Sequence, residues 1–139
     1  MKFNRKATAH WAGSGKEGSG TLSTESMVLD NTAYSFKTRF ADGIGTNPEE
    51  LVAAAHAGCF TMQLSFLLGE AGFVPDTLDT TAKLTFEDGS ITLIVLQLTG
   101  KVPNIAQAQF ETIAANAKAI CPISKLLNTK IELETILES

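Results

Sequence analysis

Apolar and polar residues alternate at the start of the chain. Phe3, Ala7, Ala9 and Trp11 fall on one side and Asn4, Lys6, Thr8 and His10 on the other, with Arg5 out of pattern. This predicts a half-buried strand over 3–11. The glycine-rich AGSGKEGSG (12–20) reads as a loop or wide hairpin turn, followed by strands over 20–24 and 33–40. In the second of these, Tyr34, Phe36 and Phe40 share a face opposite Ser35, Lys37 and Arg39. Asn47-Pro48-Glu49-Glu50 then reads as a helix start: Asn47 suits the N-cap, Pro48 the first helical position, and Glu50 the capping-box position. Two acids in the first turn also suit the positive end of the helix dipole. The helix is expected to run from Pro48 to about Gly69, with Gly72 at its exit. Its first half is rich in Ala and Gly, which permits close approach of another helix or chain; its second half is bulky.

Strict alternation returns over 78–86, with Leu78, Ala82, Leu84 and Phe86 on one face and Thr80 the polar exception on it. Asp88-Gly89 is a hairpin signal. The following ITLIVLQL (91–98) is apolar on nearly both faces, as a central strand would be, and Pro103 ends it. A second helix is expected over 105–120, with Phe110, Ile113, Ala114, Ala117 and Cys121 along one stripe. Pro122 breaks it and starts a short helical turn through Leu127, and a last strand covers 130–137. This order of elements predicts an α+β fold with a largely antiparallel sheet, in one domain over 1–139.

Composition narrows the function classes. With 44% hydrophobic and 19% charged residues among 139, the chain is not disordered and can bury a core. A net charge of −4 gives no basic surface, so no nucleic-acid partner is expected. MKFNRKATAHW has no apolar signal region, which points to the cytoplasm, where thiols stay reduced. Two cysteines are too few for a disulfide scaffold and fit a transient redox role better. Residues 51–68 have about the length of a membrane span. His56, Thr61, Gln63 and Ser65 interrupt the stretch, so a buried helix is the better reading and no membrane partner is expected. Gly15-Lys16 is followed by Glu17 and more loop rather than a helix, which excludes a phosphate-binding loop.

The chemistry-bearing residues each have a plain reading and a functional one. Cys59 and Cys121 read either as small buried hydrophobes or as reactive thiols. Cys59 lies in the long helix with His56 three residues before it. Cys121 stands directly before Pro122, where a thiol at a helix start is favoured as thiolate. His56 reads as a core histidine or as a base, and His10 as a solvated strand residue. Arg39 reads as a solvated arginine on a strand, and Glu49 as a helix-start acid. No metal is expected, since the two Cys and two His lack ligand-type spacing. Composition and spacing alone stop at an α+β domain with a candidate redox pair. A non-enzymatic homodimer that binds an apolar ligand and merely reports redox state fits the same residues. A cysteine hydrolase fits less well, because no Asn or Asp is placed to orient His56.

The stretch GTNPEELVAAAHAGCFTMQLS (45–65) resembles the signature helix of the OsmC/Ohr family of bacterial thiol peroxidases. AHWAG (9–13), STES (23–26), YSFKTRF (34–40) and CPISKLL (121–127) resemble matching segments of its OsmC (osmotically inducible protein) branch, in order along essentially the whole chain. The resemblance implies antiparallel sheets wrapped around two long central helices in an intertwined homodimer. It also implies reduction of organic hydroperoxides, and less well of hydrogen peroxide, without metal or other cofactor. Matched residue by residue, Cys59 is the peroxidatic cysteine and Cys121 the resolving one. Arg39 is the activating arginine, and Glu49 the acid that pairs with it. Glu50 and His56 are auxiliary candidates. Phe40, Phe60, Met62 and Leu126 are the apolar neighbours expected for the substrate's organic part. A dithiol reductant, in the family a lipoyl-bearing protein, is expected to reopen the Cys59–Cys121 disulfide.

Elementary physical chemistry constrains these roles. A free thiol is only ~3% thiolate at pH 7, and burial lowers that fraction. A pKa of roughly 6 would raise it to about 90%. Arg39, held by Glu49, is the expected cation. Glu49 and Cys59 are ~15 Å apart along one helix, too far to share an arginine directly. The expectation is therefore a composite site between two chains. Helix-end electrostatics alone would instead select Cys121 as the reactive thiol; the motif selects Cys59.

Overall fold

A computed structural model describes residues 1–138. They form β1 (Ala7–Ala12), β2 (Ser19–Thr24), β3 (Thr32–Tyr34), α1 (Phe36–Phe40), α2 (Pro48–Glu70), β4 (Thr77–Glu87), β5 (Ser90–Lys101), α3 (Gln107–Ile120), α4 (Pro122–Leu126) and β6 (Lys130–Glu138). The chain divides into two compact units. One comprises Met1–Leu51 and the other runs from Val52 onward, so the boundary falls in the first turn of α2.

The first unit holds the antiparallel sheet β1–β2–β3. Two expectations are corrected here. The first strand begins at Ala7 rather than Phe3, whose side chain is exposed. The stretch read as a strand over 33–40 is a short strand followed by a helix. Ser35 caps α1 reciprocally: its Oγ accepts from the Thr38 N–H, and the Thr38 hydroxyl accepts from the Ser35 N–H. Phe36 and Phe40 share a face in either conformation, two strand repeats apart or one helical turn, so their spacing could not separate the two. Their rings lie 5.0 Å apart. In this unit the buried residues are Gly20, Thr38 and Thr46, and none of them is a large hydrophobe.

The second unit is a sheet in the order β4–β5–β6 with helices on one face. Register brings Leu78, Gly100 and Leu137 into one row, and likewise Ala82, Leu96 and Leu133, then Leu84, Ile94 and Ile131. These rows meet Phe60, Leu64 and Leu68 of α2 and Phe110, Ala114 and Ala117 of α3 in one core. Thr80, the polar exception in β4, is satisfied by the Thr61 hydroxyl at 2.7 Å. Asp88 and Gly89 take positive φ, as a tight two-residue hairpin requires. Three strand pairings are antiparallel, but β6 returns parallel to β5 by way of α3 and α4. A parallel return of this kind needs a helical crossover. α2 is long and apolar enough to cross a membrane by length and composition, yet its Phe60–Leu64–Leu68 stripe is packed into the core.

Gly100 is the tightest point of this packing. A Cβ there would lie 2.6 Å from Cζ of the fully buried Phe110. Gly100→Ala is expected to lower the unfolding free energy by about 1–3 kcal/mol, and Phe110→Leu in the same chain to recover part of the loss. Urea midpoints at unchanged slope provide the measurement.

Candidate active site

The two cysteines meet at the contact between α2 and the α3–α4 junction. Cys121 closes α3, its N–H donating to the Ala117 carbonyl at 3.0 Å, and opens α4, its carbonyl accepting from Lys125 at 3.1 Å. Pro122 occupies the first turn of α4, where no backbone N–H is needed. This junction points the Cys121 thiol, fully buried, at the partly exposed Cys59, with the sulfurs 2.8 Å apart. Both thiols are free. A disulfide needs about 2.05 Å, so bonding asks for little movement.

The structure changes the electrostatic reading of Cys121. Its side chain makes no capping bond to α4. The Ile123 N–H, in the first turn of that helix, serves the Cys59 sulfur instead. Burial pushes the Cys59 thiol above its ordinary pKa, and the Cys121 thiol beside it pushes the same way, against the smaller downward pull of the Ile123 N–H. The second unit thus brings the sulfurs together but does not by itself create a thiolate.

His56 is fully buried one turn before Cys59, with Nε2 2.8 Å from the Ser124 hydroxyl and Nδ1 without a partner. Desolvation lowers its pKa and holds it neutral. A neutral ring with one polar contact fits a core histidine and an auxiliary residue alike. Ser124 was missed by sequence reasoning. Its signal was spacing: it stands three residues after Cys121, as His56 stands three before Cys59.

Arg39 and Glu49 form an ion pair in the first unit. Arg39 Nε donates to both carboxylate oxygens of Glu49, at 2.8 and 3.2 Å. Arg39 sits on α1, not on the polar face of a strand, and its guanidinium carbon lies 5.0 Å from the Phe40 ring centre. Asn47 anchors the pair twice: its Oδ1 accepts from the Glu50 N–H at 2.7 Å as N-cap, and its amide donates to the Thr38 carbonyl of α1 at 3.2 Å. The Glu50 carboxylate accepts the Thr46 hydroxyl at 2.8 Å. Of the expected apolar neighbours, Phe40, Met62 and Leu126 are exposed. Phe60 is fully buried in the core and offers no surface to a substrate. Among the described residues no cluster of three or more His, Cys, Asp or Glu is placed to hold a metal.

The chain is similar to several known proteins. The family model described as OsmC-like protein matches residues 41–136. Peroxiredoxin OsmC of Escherichia coli K12 is 48% identical over the full length of both chains. An organic hydroperoxide resistance protein of Xanthomonas axonopodis pv. citri is 25% identical over 91% of this chain and 90% of its own. Among solved structures, the organic hydroperoxide resistance protein OhrB of Bacillus subtilis superposes with a TM-score of 0.69 at 25% identity, covering 96% of this chain and 98% of its own. An OsmC-like protein of Mycoplasma pneumoniae shares the fold, with a TM-score of 0.75 at 14% identity over all of both chains.

The buried neutral imidazole has a consequence for acid stability. Below the ordinary histidine value of 6.5, the unfolded chain binds a proton at His56 that the folded chain resists. Stability therefore falls as pH drops through that region, by up to about 1.4 kcal/mol per pH unit from this group. His56→Gln is expected to flatten this acid limb below about pH 6.5, in urea melts taken from neutral pH downward. An unchanged slope would assign the limb to other groups.

Proposed function

The chain belongs to the OsmC-like protein family, and from that premise we propose that it is a thiol-dependent peroxidase that reduces organic hydroperoxides, and hydrogen peroxide less well. The observation that carries this reading is the 2.8 Å approach of two free thiols across a helix junction. In the proposed cycle the Cys59 thiolate attacks the distal peroxide oxygen. The O–O bond breaks, an S–OH bond forms, and the alkoxide leaves and takes a proton to become the alcohol. Cys121 then attacks the Cys59 sulfur: the S–S bond forms, the S–O bond breaks, and the hydroxyl leaves with the Cys121 proton as water. A dithiol reductant, such as a lipoyl-bearing protein in the cytoplasm, reopens the disulfide by exchange.

Cys59 needs a cation to offset its burial. We assign this to Arg39, oriented by Glu49, in a site composed from two chains. Two observations support a homodimer. One side of α2 leaves Ala54, Ala55, Gly58, Met62 and Phe66 exposed, and at Gly58 a Cβ would meet nothing within 4 Å. The first unit buries no large hydrophobe of its own, and Phe36 and Ile44 are exposed on it. Phe40, Met62 and Leu126 are the proposed apolar contacts of the substrate.

Hydroperoxide consumption in the presence of dithiothreitol tests the activity. Cys59→Ser is expected to abolish it, and unchanged consumption would favour the apolar-ligand-binding reading. Cys121→Ser is expected to leave a sulfenic acid on Cys59 after one equivalent of hydroperoxide, detected by mass spectrometry. Its appearance on Cys121 in the reciprocal variant, with Cys59 inert in its own, would reverse the two roles.

Removing the cation tests the activation. Arg39→Met is expected to raise the Cys59 pKa and slow peroxide reduction about thirtyfold or more at pH 7, read by thiol alkylation against pH. Met62→Lys with Phe66→Lys is expected to give monomers of low activity in the ultracentrifuge. A fully active monomer would refute the composite site.

A further inference from the structure

We propose that His56 and Ser124 form a positioning pair that holds α4 against α2 while the disulfide forms, and so decides whether oxidised Cys59 is resolved or overoxidised. The inference rests on the peroxidase reading and extends it to the second chemical step. α4 is five residues long, too short to be stable through its own backbone bonds. Its polar ties to α2, among the described residues, are three. Two of them end on the reacting sulfur: the Cys121 thiol and the Ile123 N–H both meet Cys59. Those two contacts change as Cys59 gains oxygen, because the sulfur loses its charge and becomes a poorer acceptor. The third, His56 Nε2 to Ser124 Oγ at 2.8 Å, involves no reacting atom. It persists while the other two are remade.

Its placement suits that task. His56 precedes Cys59 by one turn of α2, and Ser124 follows Cys121 by one turn into α4, so the two cross-links stand side by side. His56 is fully buried and anchored in a 23-residue helix, which makes it the fixed member. Its Nδ1 has no partner. Buried N–H groups without an acceptor are rarer than under-satisfied acceptors, which puts the ring proton on Nε2, donating to Ser124.

The oxidised sulfur has two fates. Attack by Cys121 forms the S–S bond and expels the oxygen as water. Attack on a second hydroperoxide oxidises the sulfenic acid to sulfinic acid, transferring one oxygen and releasing one alcohol. The first fate is intramolecular, so its rate depends on how well Cys121 is held in line. The second depends only on peroxide concentration. Loosening α4 shifts the balance toward sulfinic acid.

The test is the partition of Cys59 between disulfide and sulfinic acid over a hydroperoxide titration, by mass spectrometry, beside the rate of the first oxidation by stopped flow. Ser124→Ala is expected to raise the sulfinic fraction several-fold at a given peroxide concentration, with the first oxidation within about twofold of the parent. Ser124→Thr, which keeps the hydroxyl, and His56→Gln, which keeps an N–H donor at similar reach, are expected to stay near the parent partition. His56→Leu combined with Ser124→Ala should be no worse than the poorer single variant, since both remove one bond. An unchanged partition in Ser124→Ala would overturn the positioning role. A parent protein that forms neither sulfenic acid nor disulfide would instead overturn the peroxidase reading.

Discussion

The 2.8 Å contact between the Cys59 and Cys121 sulfurs is the constraint around which the second unit is organised. It requires a backbone that ends one helix and begins another at a single residue, so that a fully buried thiol points across at α2 rather than along its own helix. Cys121 meets this by serving as C-cap of α3 and N-cap of α4, with Pro122 restarting the helix. The junction in turn must be held at a fixed height over the sheet. The parallel return of β6 beside β5 does that, because α3 and α4 lie within the crossover that joins them. The Phe60, Leu64 and Leu68 stripe fixes α2 on the same sheet face, so both sulfurs are referenced to one rigid layer. Close-packed interiors transmit position well, and small separations between helices can be kept only where the layer beneath does not yield.

Much of this was legible in the chain. Asn47-Pro48 and the acids after it set the start of α2, and Leu68 to Phe73 set its end. There Gly72 takes φ +92, and the Phe73 N–H returns to the Leu68 carbonyl at 2.8 Å. The alternation over β4, the hairpin at Asp88-Gly89 and the doubly apolar β5 are each strong because one local rule decides them. The failures lie where two local rules compete. Ser35 and Thr38 form a capping box inside a stretch whose aromatics also alternate, and the cap won because it satisfies two backbone or hydroxyl donors at once. The β5–β6 direction could not be read from pattern, since a strand shows the same faces whichever way it runs.

The site was legible as residue types and partly legible as geometry. Cys59 and Cys121 carry no spacing rule, since they are far apart in sequence and meet only through the fold. Arg39 and Glu49 looked separately like a surface cation and a helix-start acid, yet both sit at the joint between α1 and α2 that Asn47 and Thr38 tie together. Glu49 is mostly shielded, with its side chain 16% exposed against 41% for Arg39. A carboxylate more enclosed than its arginine suits an acid that fixes the orientation of the guanidinium.

The electrostatics of Cys59 set what the proposed cation would have to offset. Burial and the neighbouring thiol both favour the protonated sulfur, and one backbone N–H does not reverse them. A reactive thiolate left in such a position at all times would be open to any oxidant that reached it. On the proposed reading, a thiol that is paired, half-buried and protonated until a guanidinium is brought to it would be reactive only in an assembled protein. In the proposed homodimer, assembly and activation would depend on the same surfaces: the small-residue side of α2 and the first sheet would gain burial from association, and the cation would arrive with it. On this view, a lone second unit would retain the pair of sulfurs without the chemistry.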